Sequence, residues 1–261
     1  MQAAGVEPHP LQAGGADLVQ RGGSPASVDQ AGNANLIRAA ARTGASFVLV
    51  SVVGASPVHP VGLFRAKYAA EETLRASGIP WTIVRATAYT ETWAAIMARP
   101  RQDSGKIIVF GRGDNPVNFV SVTDVAALTA LAVADPGLRG RVLELGGPDN
   151  LTANQFAAIL AETAGRRGTV RHIPRPALLA MAWLAAAVKP ALARQARAAL
   201  AMDTLDMTLR PRPDPAGISQ AARDRHPLSS QRRTGLNAHT ARQLRGRLKA
   251  AGGAAGVRGC R

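Results

Sequence analysis

Cysteine is nearly absent from this 261-residue chain: Cys260, next to the last residue, is the only one. That excludes an internal disulfide and any metal centre built on several thiolates, and it fits a reducing compartment, so a cytoplasmic location is expected. No histidine pair or carboxylate cluster stands at metal-ligand spacing either. Aromatic residues are scarce, at 4 %, while apolar residues reach 46 %, an ordinary share for a globular core. Packing should therefore rest on layers of Ala, Val and Leu. The most apolar stretch, residues 177–188, is cut by Lys189-Pro190 and falls short of the roughly 20 residues a bilayer span needs, so no membrane partner is expected. The first residues hold no basic segment followed by an apolar run, and no secretory leader is expected.

Acidic residues are also few, 17 against 32 Lys and Arg, for a net charge of +15. The imbalance is uneven. From residue 211 onward eleven basic residues face two acidic ones, whereas the rest of the chain carries only a mild surplus. A basic tail of this kind can touch phosphate backbones. Without aromatic residues beside the arginines to stack on bases, solvated disorder is the expectation and no specific nucleic-acid partner is assigned.

What is present is organised around residues 45–88. A short β-branched run, Phe47-Val48-Leu49-Val50, reads as a buried parallel strand. After a Gly/Pro loop comes a helix with Leu63, Phe64, Ala70 and Leu74 near one face and Ser77-Gly78 as its stop. Residues 81–84 read as a second buried strand. In such strand-helix-strand units ligands bind at the carboxyl ends of the strands, here Ser51 and residues 86–89, with Lys67 on the helix between them. Elsewhere, residues 29–42 read as a helix, 106–110, 117–122 and 141–145 as strands, and 177–188 and 191–202 as two Ala/Leu-rich helices. Two capping boxes open helices, at Ser121-Val122-Thr123-Asp124 and Thr152-Ala153-Asn154-Gln155. The turn Gly111-Arg112-Gly113-Asp114 could touch a phosphate through its amides, although a connecting turn is the stronger reading.

The run SVVGASPVHPVGLFRAKYAAEETLRASGIPWTIVRATAYTETW, with NFVSVTDVAALTALA and LELGGPDNLTANQFAAILAETAGR after it, resembles the NmrA-like branch of the atypical short-chain dehydrogenase/reductases. That resemblance implies an α/β fold, an incomplete Rossmann-type parallel sheet flanked by helices with a small helical C-terminal subdomain; the composition adds a disordered basic tail after it. The expected divisions are an irregular segment (1–26), a partial NAD(P)-binding domain (27–150), a helical substrate subdomain (151–210) and the tail (211–261). It implies NAD(P)H as cofactor and a small-molecule substrate, and a homodimer is compatible with it. Lys67 matches the family lysine, with a catalytic and ribose-binding role. Ser51, Ala86, Thr87 and Ala88 match segments that pass the nicotinamide.

Two family features are missing. Residues 1–26 hold only Gly14-Gly15 and Gly22-Gly23, with neither an apolar strand before nor a helix pattern after, so no glycine-rich cofactor loop is read and an N-terminally truncated domain is expected. The family tyrosine, one helical turn before the lysine, is replaced by Leu63, which cannot transfer a proton. Tyr68 points about 100 degrees away and does not rescue it. His59 and His172 read as structural. The expected activity is reduction of a quinone-like or other small electrophile. The alternatives are a catalytically inactive dinucleotide-sensing regulator, or an impaired fragment.

Overall fold

The computed structural model describes residues 23–98, 106–163 and 169–209. The basic tail and nearly all of the expected irregular N-terminal segment lie outside these residues. A π-helical segment, Ala26–Gly32, runs directly into α1, Asn33–Thr43, which ends at Gly44 in the left-handed conformation a glycine adopts without strain. Then follow β1 (Phe47–Val52), α2 (Gly62–Arg75), β2 (Trp81–Ala86), β3 (Ala88–Tyr89) and α3 (Thr90–Ala98). Next come β4 (Ile107–Phe110), β5 (Pro116–Val120), α4 (Val122–Ala134) and β6 (Arg141–Leu145). The described part closes with β7 (Asn150–Thr152), α5 (Ala153–Thr163), β8 (Val170–Ile173), α6 (Arg175–Val188) and α7 (Pro190–Thr204).

The main sheet is parallel, in the order β1-β2-β6, with Phe47 opposite Trp81 and Ala86 opposite Leu145. Its period-2 pattern buries both faces. Ile83 and Leu49 pack with Ile37, Ala70 and Leu74 beneath α1 and α2, while the next residue, Val84, joins Val120, Val125 and Leu128 under α4. The expected open parallel sheet flanked by helices is therefore present, with few strands. Beside it, β3-β5-β7 and β4-β8 form two smaller sheets, and a third cluster, Met97, Val109, Phe156 and Leu160, fills the space around α3, β4 and α5.

One edge of the main sheet bears on function. Phe47 N–H donates to Pro80 and Val53 N–H to Ala86, so the odd residues of β1 turn their backbone groups toward β2. Because successive residues alternate, Val48, Val50 and Val52 face the opposite edge, which has no strand partner among the described residues. An unpaired edge invites aggregation. Here the Lys67 Nζ donates to the Val50 carbonyl at 3.0 Å and blunts it.

Both capping expectations find their residues at helix starts. Thr152 and Gln155 exchange hydrogen bonds of 2.8 and 3.1 Å, each side chain accepting from the other's amide. At α4 the Ser121 hydroxyl accepts from the Thr123 amide, and Glu91 of α3 adds a carboxylate that accepts from Val122 N–H at 3.0 Å and from the Ser121 hydroxyl. Replacing Ser121 by Ala should cost about 1 kcal/mol of stability, measurable as a shift of the urea midpoint at constant slope.

Candidate functional site

The carboxyl halves of β1 and β2 carry most of the residues that sequence reading singled out, and their side chains divide into two groups. Lys67 stands at the edge. Its ammonium lies 3.0 Å from the Asp29 carboxylate on the π-helical segment and equally close to the Val50 carbonyl, with the side chain 20 % exposed. An ammonium has three N–H donors. Among the described residues, Asp29 and Val50 meet two of these, which leaves a third for a ligand at this edge. Leu63, one turn earlier on α2, is partly exposed and offers no hydroxyl to the amine.

Ser51 belongs to the other group. Its hydroxyl is buried and donates to Glu71 at 2.5 Å, on the helix side of the sheet rather than at the strand tip. The hydroxyl proton is thus taken by a buried carboxylate. Glu71 itself is fully buried, which corrects the expected helix face. The inner side of α2 is Ala66, Ala70, Glu71 and Leu74, and Leu63 faces outward. The reason is Arg85. An arginine in the middle of a buried strand needs an anion, and Glu71 supplies a two-pronged one, 3.0 Å from Nε and 2.7 Å from Nη2, with Arg75 at 3.1 Å on its other side. Burial opposes ionisation of Glu71. The hydrogen bonds from Arg85 and Ser51 and the charges of Arg85 and Arg75 outweigh it and hold the carboxyl below its ordinary value. The signal for this pair lay in the sequence as Arg85 within an apolar strand.

Ala86 is buried in the core at the end of β2, so its methyl group packs under α4 and only its backbone lies at the strand tip. Thr87 donates its hydroxyl to Asn118 at 2.9 Å, and Ala88 opens β3 beside Phe119. Asn118 was not anticipated. Fully buried on β5, it accepts from Thr87 and from Gly147 N–H, and donates to the carbonyls of Gly147 and Asp149, tying the tips of β2 and β6 together. Gly147 is required there: a Cβ would lie 1.9 Å from the Phe119 carbonyl oxygen.

The remaining candidates resolve as structural elements. His59 stacks on Phe64 at 4.0 Å and accepts from Val61 N–H through Nδ1, and desolvation pulls its pKa below the ordinary value. Because the folded loop favours the neutral ring, acidification through the ordinary histidine range should loosen it. Histidine carbon shifts followed by NMR should move together with those of Phe64 as the pH falls. Tyr68 is half-buried, as expected. Burial pushes the phenol of Tyr89, the other tyrosine, above its ordinary value, the opposite of activation by a lysine. His172 bonds the Gly111 carbonyl at 3.1 Å. The turn at Gly111-Arg112-Gly113 does gather an anion with its amides, but that anion is the carboxylate of Asp203 on α7. Arg175 binds the same carboxylate, and the turn serves to fasten the C-terminal helices.

A pocket of about 30 Å³ beneath α7, lined by Trp93, Phe119, Ala199 and Met202 among others and not by Lys67, has room for about one water. The cofactor-sized opening is not there. The residues at the β1 edge suit one part of a dinucleotide, a ribose diol, to which Lys67 offers a donor and Asp29 an acceptor. Among the described residues, no glycine-rich turn leading into a helix N-terminus stands at these strand tips. No helix among the described residues is long and apolar enough to cross a membrane.

Comparison with known proteins agrees with this layout. A family model described as NAD(P)H-binding matches residues 12–136. Quinone oxidoreductase 2 of Escherichia coli is 29 % identical over 139 residues, which is 53 % of this chain and 48 % of that protein. An NmrA-like family domain-containing oxidoreductase of Aspergillus flavus is 26 % identical over 113 residues, 43 % of this chain and 36 % of its own length. The crystal structure of an Escherichia coli NADPH-dependent quinone oxidoreductase complexed with NADPH superposes with a TM-score of 0.61. It covers 81 % of this chain and 70 % of that one at 24 % identity, a likeness of fold. The chain spans about half the length of the first curated relative, or less for the second. With a parallel sheet of Rossmann type and a lysine-bearing crossover at its edge, residues 12–136 match the NAD(P)H-binding family, and the chain is similar to NmrA-like oxidoreductases of the atypical short-chain dehydrogenase/reductase kind.

Proposed function

We propose that this chain is an NAD(P)H-dependent oxidoreductase that reduces a quinone-like or other small electrophile without a tyrosine acid. The observation that carries the reading is Lys67, held at the β1 edge by Asp29 and Val50 with one donor to spare. When bound, the nicotinamide supplies a hydride. A quinone that accepts it needs one proton to become the hydroquinone, and water at an open edge provides that proton, so Leu63 in the place of the acid is tolerated. Lys67 orients the ribose, and Asp29 holds the ammonium directed along the edge. The small side chains of Ala86 and Ala88 leave the β2 tip open to close approach of the ring. Asn118 keeps that tip rigid through Thr87.

Leu63 favours a second reading, in which the same edge senses the dinucleotide without turning it over. Titration of the full chain with NADPH and NADH, followed by nicotinamide fluorescence and then by absorbance after adding a quinone, separates the two. Saturable binding with quinone-dependent consumption supports the reductase, binding without consumption supports the sensor, and no binding contradicts both. Lys67→Met should weaken binding by about ten-fold or more, the worth of one charge-assisted hydrogen bond.

A further inference from the structure

The helix α6 presents a face that nothing in the described fold covers. Leu178 and Ala182 turn inward against α7, but Leu179, Trp183, Leu184 and Val188 are 59, 79, 66 and 79 % exposed. At 100 degrees per residue these four, with Ala180, Ala186 and Ala187, sweep about half of the helix circumference without one polar side chain. Scattered exposed leucines need no explanation, whereas a contiguous apolar half-cylinder with a central tryptophan does.

The surrounding charge says what covers it. From Thr169 to Thr204 there are five Lys and Arg against one acidic residue, Asp203, which pairs with Arg175. Lys189 is exposed at the end of α6, and Arg171 and Arg197 are exposed on the flanking β8 and α7. The chain after α7 adds eleven basic residues against two acidic ones from residue 211 onward. A second copy docked on this face through a two-fold axis would set these like charges against their own images. An anionic lipid surface meets them with the opposite sign. At about 21 Å, α6 is too short to span a bilayer but suited to lie in its interface, with Trp183 at headgroup level.

We propose that α6 is a peripheral docking surface for anionic lipid membranes, with its Leu179–Val188 face sunk into the headgroup region and the flanking basic residues on the headgroups. Apolar insertion and basic attraction are together the two signals that hold a protein at a bilayer reversibly. This surface is independent of the nucleotide edge, so its test does not depend on the reductase reading.

The experiment is co-sedimentation of the full chain with vesicles of phosphatidylcholine alone and of phosphatidylcholine with phosphatidylserine, accompanied by Trp183 fluorescence against a Trp183→Phe control. Binding to the serine-containing vesicles, a blue shift lost in the control, and weakening by salt are expected. The double variant Trp183→Glu, Leu184→Glu should bind at least about ten-fold more weakly, with an unchanged thermal melt because both side chains are already in water. Binding that is absent, or that the double variant retains in full, overturns the proposal: retained binding would assign the attraction to the basic tail alone. A dimer that the double variant abolishes, in sedimentation velocity without lipid, together with no vesicle binding, would assign the face to a second copy instead.

Discussion

Glu71→Ala is expected to destabilise the fold by about 3–5 kcal/mol, the usual cost of removing one partner of a buried ion pair and leaving the other charge behind. Three groups lose their acceptor at once: the Arg85 guanidinium, the Ser51 hydroxyl and one arm of Arg75. Arg85 retains Glu144, at 3.5 Å. Against a typical domain stability of roughly 5–15 kcal/mol this is a large fraction, and it should appear in urea denaturation as a lower midpoint. Replacing Glu71 and Arg85 together by leucine should recover much of the loss, because no buried charge is then stranded. Glu71 also makes the fold sensitive to acid. Its folded pKa lies below the ordinary value, so the stability it contributes is fully present above the ordinary carboxylate range and is lost as pH falls through the depressed value. Glu71→Gln should flatten that acid limb of the stability curve.

Gly111→Ala should cost about 3 kcal/mol and loosen the C-terminal helices from the rest. Gly111 has φ +75°, where an alanine pays roughly 1–2 kcal/mol, and the added Cβ would lie 2.1 Å from the Asp203 carboxylate. That carboxylate cannot step aside cheaply, since Arg175 and the amides of Arg112 and Gly113 hold it. Gly140 is the built-in control. It has a similar φ of +73° with nothing within 4 Å, so Gly140→Ala should show the backbone penalty alone. The difference between the two urea midpoints isolates the Asp203 clasp, and equal midpoints would mean that the clasp contributes nothing.

The buried strands, the main crossover and the capping box of Thr152 and Gln155 were legible in the sequence because each rests on local rules: alternation or apolar runs, stop residues and a reciprocal side-chain cap. β7 was not, since three residues, Asn150–Thr152, carry too little pattern to be seen without their partner β5. The partner of Ser51 was not legible, because a strand-end serine looks the same whether it faces a ligand or a carboxylate twenty residues on, and Glu71 is itself hidden in an apparently polar helix run. Asp203 and the Gly111 turn lie some ninety residues apart, and no local signal links them. Lys67 was singled out through its motif, yet its partner Asp29 was not, because a carboxylate that opens a helix reads as an ordinary first-turn acid.

The central claim is that the Lys67 edge of the sheet is where the dinucleotide sits. The most direct measurement is the rate at which an amine-specific reagent labels each lysine, read by mass spectrometry with and without NADPH. Saturating NADPH should slow labelling at Lys67 several-fold while leaving Lys106 and Lys189 unchanged. Equal labelling of Lys67 in both conditions, with NADPH shown to be bound, would place the cofactor elsewhere and contradict the account.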